Sequence, residues 1–306
     1  MTNDIKYDNR SADLFGKESG DYILERRLKE LNSDLHTRFK DTVFAVQKIL
    51  SMYRLLFPEY TDHSELHSMT VIDSCNRLIG EDQIEKLNAD EIYILLTACY
   101  MHDVGMGISD ADFETFKNNL NEEEFFKKNP AATKADFVRV YHNEFSGFFI
   151  DKYAPFFDIP STQHVFAIKQ VARGHRKTDL FDEKEYPASL VLPGGNTVCV
   201  PYLASLVRLA DEIDVVATRN PQVLYDIETL TDEIEIVENK KLDAVKAMIM
   251  TKEAFILTCS TDEEEIFNSL LAMIGKMQAT LDYCRKVVEE RSRFVIYQKK
   301  VILEKI

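Results

Sequence analysis

The stretch ILLTACYMHDVGMG, Ile94–Gly107, decides how this chain is read. Up to Met101 it has the texture of a buried helix, yet it ends on adjacent His102 and Asp103, with glycines following at 105 and 107. A carboxylate taken out of water beside an imidazole is costly unless it is paired or bound to a metal. Something in the fold must offset that cost.

The whole chain sets the limits. Its 306 residues with 45% apolar content suffice for one large domain, or a domain with an appendage, around a substantial core. A formal charge of −15, from 37 Lys+Arg against 52 Asp+Glu, excludes a general nucleic-acid or membrane binder, because both need a clear cationic surface. Small anionic substrates stay open where basic residues cluster locally. The five cysteines show no CxxC pairing and fall largely in apolar segments, so they read as reduced, packed thiols. The N-terminal MTNDIKYDNRSADLFGKESG lacks the apolar core of a signal sequence, and no run is long enough to cross a bilayer. A soluble cytoplasmic protein is the expectation.

Helical periodicity dominates up to about residue 220. Residues 21 to 58 suggest two helices broken at Asn32 and Ser33, which form an N-terminal helical layer over 1–54. The next helix has Asp62 as N-cap, Glu65 three residues on and Gly80 as its stop. Further helices are expected over Ala89–Met101, Ala135–Tyr153 and Gln163–Ala172. After TRNPQ the texture changes. AMIMTKEAFILTCST reads as two short strands, DEEEIFNSLLAMIGKMQATLDYCRKVVEERSR as a long amphipathic helix and FVIYQKKVILEKI as a final strand. The reading is therefore mainly α: a helical bundle over 55–220 and a small C-terminal α/β appendage over 221–306. The long helix carries enough apolar positions for a homodimer.

Polar residues in apolar settings recur along the bundle: His67, His102 with Asp103, His142, His175 and Asp211. Each falls about one helix and one loop after the last, so a helical bundle can bring them to one inward-facing point. A lone histidine on an apolar face is most often a hydrogen-bonded core residue; four histidines and two aspartates in this rhythm are different. Imidazole nitrogen and carboxylate oxygen without thiolate suit Mn, Fe, Co, Ni or Zn, with Mg also open. Six donors are too many for one catalytic ion with open positions, but they suit two divalent ions sharing a bridging carboxylate. Asp103 then tolerates burial as that bridge.

This ordered pattern, His67, then HD at 102 and 103, then His142, His175 and Asp211 in RLADEID, resembles the HD superfamily of metal-dependent phosphohydrolases over roughly residues 55 to 220. The resemblance implies an all-helical HD-type bundle that hydrolyses phosphate esters, including those of cyclic and linear nucleotides. It also implies that His67, His102, Asp103 and Asp211 hold one metal, while His142 and His175, with Asp103 bridging, hold the second. The extra histidines are similar to those of two-metal phosphodiesterase branches. The GYP signature of the cyclic-dinucleotide branch is absent, and HRK at 175–177 stands where that branch has paired histidines, which leaves the substrate open. The chain is also similar to HD modules that accompany Hsp90-like ATPase domains in bacteria, with no ATPase counterpart in these 306 residues.

The expected chemistry is attack on phosphorus by a metal-activated hydroxide, with Asp103 bridging the ions. A phosphate also needs a cationic clamp; Arg176 and Lys177 beside His175 are the first candidates, with Arg173 and Arg219 behind them. His63, at a helix N-terminus one turn before His67, is a candidate hydrogen-bonding group or general acid. Asp214, and less so Asp179, are candidates for orienting a ligand. His36 and His164 lie outside the rhythm and read as surface residues. Two functions fit: a working phosphohydrolase or phosphodiesterase on a small nucleotide-like substrate, or a non-catalytic sensory module of the same fold that binds nucleotide or metal.

Overall fold

Asn88 starts the central helix. Its side chain accepts from the Glu91 amide at 2.9 Å while the Glu91 carboxylate accepts from the Asn88 amide at 3.1 Å, a capping box worth about 1 kcal/mol. The computed structural model, which describes residues 5–8, 23–50, 65–215 and 240–306, shows α5 (Ala89–Met101) where the periodicity expects it. Every side chain from Glu91 to Met101 is buried. A helix without a polar face must sit inside a bundle, and α1 (Ile23–Leu31), α2 (Ser33–Leu50), α3 (Glu65–Ile79), α9 (Thr162–Arg173) and α10 (Val200–Glu212) all pack against it.

Local chemistry sets the helix ends. Between α1 and α2 the Asn32 side chain accepts from the amides of Asp34 and Leu35, both at 3.1 Å, so the expected polar break is a helix start. Gly80 stops α3 with φ +75°, a conformation that costs glycine nothing sterically. The short α4 (Glu81–Ile84) follows, then, beyond α5, α6 (Asp110–Phe116) and α7 (Glu122–Lys128). They lead to α8 (Lys134–Tyr153), which opens on a capping box between Thr133 and Asp136. A satellite cluster of Met106, Phe113, Phe116, Phe137 and Phe145 packs α6 onto α8.

The C-terminal region is α/β as expected, with differences at its edges. Strands β4 (Val245–Met250) and β5 (Ala254–Cys259) form an antiparallel hairpin, and α11 (Glu264–Arg291) crosses back to β6 (Lys300–Lys305), which pairs parallel with β5. The fourth strand, β1 (Ile5–Asp8), comes from the N-terminal stretch that reads as helical, and pairs antiparallel with β4. The final strand also starts later than its apolar pattern suggests. Phe294 stacks on Tyr202 of α10 with ring centroids 4.2 Å apart, and Gln83 donates to the Val295 carbonyl and accepts from its amide. That segment is thus anchored to the bundle and does not reach the sheet.

Between α9 and α10 lie residues 174–199, which are not helical, in keeping with a helix expected to end at Ala172. They form turns and a short hairpin of β2 (Leu190–Val191) and β3 (Thr197–Val198). The apolar face of α11, with Ile266, Leu270, Met277, Leu281, Cys284, Val287 and Val288 buried, packs largely on α10 and belongs to the same core as the bundle. All five cysteines are free and buried. Among the described residues no single helix is long and apolar enough to cross a membrane.

Candidate metal centre

The buried helix α5 delivers His102 at its C-cap and Asp103 one residue beyond, with φ −106° and ψ 5°. The chain then turns sharply against α8. Gly105 donates to Ser146 Oγ at 2.9 Å, and that hydroxyl donates to the His102 carbonyl at 2.6 Å. A Cβ on Gly105 would meet Ser146 N at 2.6 Å, so only glycine lets the turn lie this close to the helix that carries His142. This accounts for the glycine after the HD pair.

Five segments converge here: α3 brings His67, the end of α5 His102 and Asp103, α8 His142, the turn after α9 His175, and α10 Asp211. The donors form two groups, His67 with His102 and Asp211, and His142 with His175 and Asp103. Asp103 faces both. Its Oδ2 lies 3.5 Å from His67 Nε2 and 3.3 Å from His102 Nε2, while Oδ1 lies 3.4 Å from His142 Nε2 and 3.6 Å from His175 Nε2. Asp211 Oδ1 is 3.3 Å from His67 Nε2 and 4.0 Å from His102 Nε2. All these side chains are buried except that of Asp211, which is 20% exposed.

The imidazole tautomers follow from what each Nδ1 faces. His102 Nδ1 lies 2.8 Å from the Cys99 carbonyl, His142 Nδ1 2.7 Å from the Arg139 carbonyl, and His175 Nδ1 2.6 Å from the Ala172 carbonyl. A carbonyl can only accept, so each Nδ1–H donates. His67 Nδ1 donates to the Asp214 carboxylate at 2.6 Å. In the neutral ring every Nε2 is then a lone pair. Yet His67 Nε2 and His102 Nε2 stand 3.1 Å apart, and His142 Nε2 and His175 Nε2 2.9 Å apart. Two lone pairs at that distance repel and cannot share a hydrogen bond, whereas neighbouring ligands on an ion with bonds of about 2.1 Å stand about 3 Å apart. The donor set fits a cation.

Electrostatics agrees with this. Burial, then the neighbouring His102 and His142, hold His175 well below the usual imidazole value, so it is neutral and its lone pair is free. A carboxylate oriented on the far side of a ligating histidine, as Asp214 is on His67, fixes the ring and raises its basicity.

The other sequence candidates divide. Arg173 is drawn away from the centre, with Nε and Nη2 each 3.0 Å from the Glu144 carboxylate. Arg176 is half-buried and Lys177 exposed, both on the turn beside His175. Asp179 accepts from Tyr283 Oη at 3.0 Å and borders that turn without joining the donors. His164 is not a surface residue: it is buried, 2.8 Å from both Asp90 and Ser161. His36 is half-buried against Glu25 at 3.1 Å. His63 and Arg219 lie outside the described residues. Two residues the pattern passed over also matter. Ser146 locks the HD turn to α8, and Arg208 is a buried cation on the turn of His175. Arg208 had a signal, a charge inside the apolar run LASLVRLA; Ser146 had none.

A separate cavity of about 730 Å³ lies at the opposite end of α5, lined among others by Glu91, Cys199, Arg291 and Arg293. Converging donors and lone pairs, which the cavity lacks, make the centre at His102 the candidate site. In comparison with known proteins, the family model HD-CE matches residues 57–293. No curated protein matches the chain.

Proposed function

The chain belongs to the HD-CE family, and from that premise we propose that it is a metal-dependent phosphohydrolase acting on a phosphate ester of a small, nucleotide-like substrate. The observation that supports this most directly is the pairwise convergence of four Nε2 lone pairs on the two oxygens of Asp103. In this reading His67, His102, Asp103 and Asp211 hold one ion, and Asp103, His142 and His175 the second. Two divalent ions would supply a water acidic enough to ionise near neutral pH and positive charge for the oxygens of the reacting phosphate.

The chain's own residues do the rest. Backbone carbonyls behind three histidines and Asp214 behind the fourth keep the rings in one tautomer. Arg176 and Lys177 provide the cationic edge for substrate phosphate, and His63 a hydrogen-bonding group or general acid. The substrate is a small molecule, with no nucleic acid or membrane surface involved, and the chain works as a cytoplasmic protein able to form a homodimer.

The near closure of the donors favours one alternative, a module that binds metal or nucleotide without turnover. The deciding experiment is turnover of bis(p-nitrophenyl) phosphate and a nucleotide panel by Mn²⁺-loaded protein. We expect metal-dependent release that Asp103→Ala abolishes. A folded, metal-loaded chain that releases nothing from any of these would leave the binding module.

A further inference from the structure

Gly174 to Phe181, the segment that carries His175, has no helix or strand ladder to hold it. Three of its backbone oxygens are instead satisfied from one side chain. Arg208 of α10 donates through Nε to the Gly174 carbonyl at 2.6 Å. Through Nη2 it donates to the carbonyls of Arg176 at 2.9 Å and Thr178 at 2.8 Å, and to Thr178 Oγ1 at 3.1 Å. Arg208 is only 8% exposed, and among the described residues no carboxylate lies within ion-pair distance of it. Its charge rests on those oxygens and on the face of Tyr283, whose ring centroid is 5.1 Å from the guanidinium carbon. Only a planar fork of five donors can bridge carbonyls on both sides of a ligand in this way.

Tyr283 belongs to α11 and grips the same segment. Its hydroxyl accepts from the Leu180 amide at 2.7 Å and donates to Asp179 at 3.0 Å, and Arg291 of α11 donates to the Leu180 carbonyl at 2.6 Å. The turn that holds His175 is therefore clamped between α10 and the C-terminal helix. We infer that Arg208 is a positioning residue for the second ion and that Tyr283 makes its grip depend on α11. A ligand geometry must hold to within about 0.5 Å to bind its ion well, and Arg208 and Tyr283 supply that constraint for His175. The inference rests on the assignment of His175 to the second ion proposed above.

The test uses the full chain, stripped with chelator and titrated with Mn²⁺ or Co²⁺, reading ion number, the affinity of each ion and the Co²⁺ visible spectrum. His175→Ala should bind one ion. Arg208→Gln should bind both, with the second about 10 to 100-fold weaker, its Co²⁺ bands altered and the first ion unchanged. Arg208→Lys should restore part of that affinity. Tyr283→Leu should weaken the second ion by a smaller factor than Arg208→Gln, and Tyr283→Phe, which keeps the ring face, by less again. If Arg208→Gln does not fold by circular dichroism, the two Tyr283 variants carry the test. Wild-type affinity and spectrum for the second ion in the folded Arg208 and Tyr283 variants, with one ion lost in His175→Ala, would overturn the inference and leave the metal assignment standing. Equal weakening of both ions would mark a merely structural role and overturn it too. Retention of both ions by His175→Ala would remove the assignment, and the inference with it.

Discussion

His142 and Arg176 separate an ion from a clamp. His142 faces Asp103 Oδ1 at 3.4 Å and His175 Nε2 at 2.9 Å, so His142→Ala should leave about one ion per chain by elemental analysis. It should also cost at least about a thousandfold in phosphodiester turnover, since an ion's charge near the reacting phosphate contributes several kcal/mol. Asp103→Ala should remove both ions, because the two oxygens of Asp103 face different histidine pairs. Arg176→Ala should keep both ions and slow turnover or weaken substrate by a smaller factor. Near-normal turnover and two ions in His142→Ala would make His142 a core histidine. The donors themselves were legible from sequence because histidine and aspartate inside apolar runs are costly without a partner. Asp214 could only be weighed as a neighbour of Asp211, since its approach to His67 from another element depends on how α3 meets α10.

At the scale of elements, two contacts hold α8 in place, one against the HD turn and one against α6. Gly105 lies so close to Ser146 that Gly105→Ala must push α8 away; overpacking of this kind costs about 1–3 kcal/mol. Thermal unfolding should show a lower midpoint, and ion affinity should fall with it because His142 moves. The other contact is Asp112 of α6, which accepts from Lys152, from Tyr153 Oη at 2.9 Å and from Ser109 Oγ at 3.1 Å. Burial pushes its carboxyl up, but these donors outweigh burial and hold it below the usual value. A carboxyl depressed in the folded state adds stability above its unfolded value of about 3.9, and that stability disappears as pH falls through the folded value. Asp112→Asn should thus lower stability at pH 7 by about 1 kcal/mol, after allowance for the exposed end of Lys152, and the gap from wild type should close below about pH 4. A gap that persists at acid pH would mean that shape, and not charge, sets its cost. The helices α1, α2, α5, α8 and α9 were all readable because caps and periodicity are local properties. That 174–199 is loop was readable too, but what holds it was not, since its bonds come from Arg208, Tyr283 and Gln170 on other elements.

Over the whole molecule, the proposed ions join five segments that otherwise meet through mutually repelling lone pairs. Chelation should therefore lower the thermal midpoint, and Mn²⁺ at about 100 times its Kd should return about 2.7 kcal/mol per site. A midpoint indifferent to metal would count against the ions. What the sequence alone determined is the helical class of the bundle, the α/β character of the C-terminal region and the six buried or half-buried His and Asp residues that could hold a metal, because apolar period and the cost of burying charge are written residue by residue. Tertiary structure decided that Ile5–Asp8 joins the C-terminal sheet, that Asp103 faces two histidine pairs and that Asp214 backs His67. It also decided that the turn of His175 hangs from Arg208 and Tyr283. Each of these is a contact between residues far apart in sequence, whose distance depends on the packing of whole helices and on no local preference of the chain.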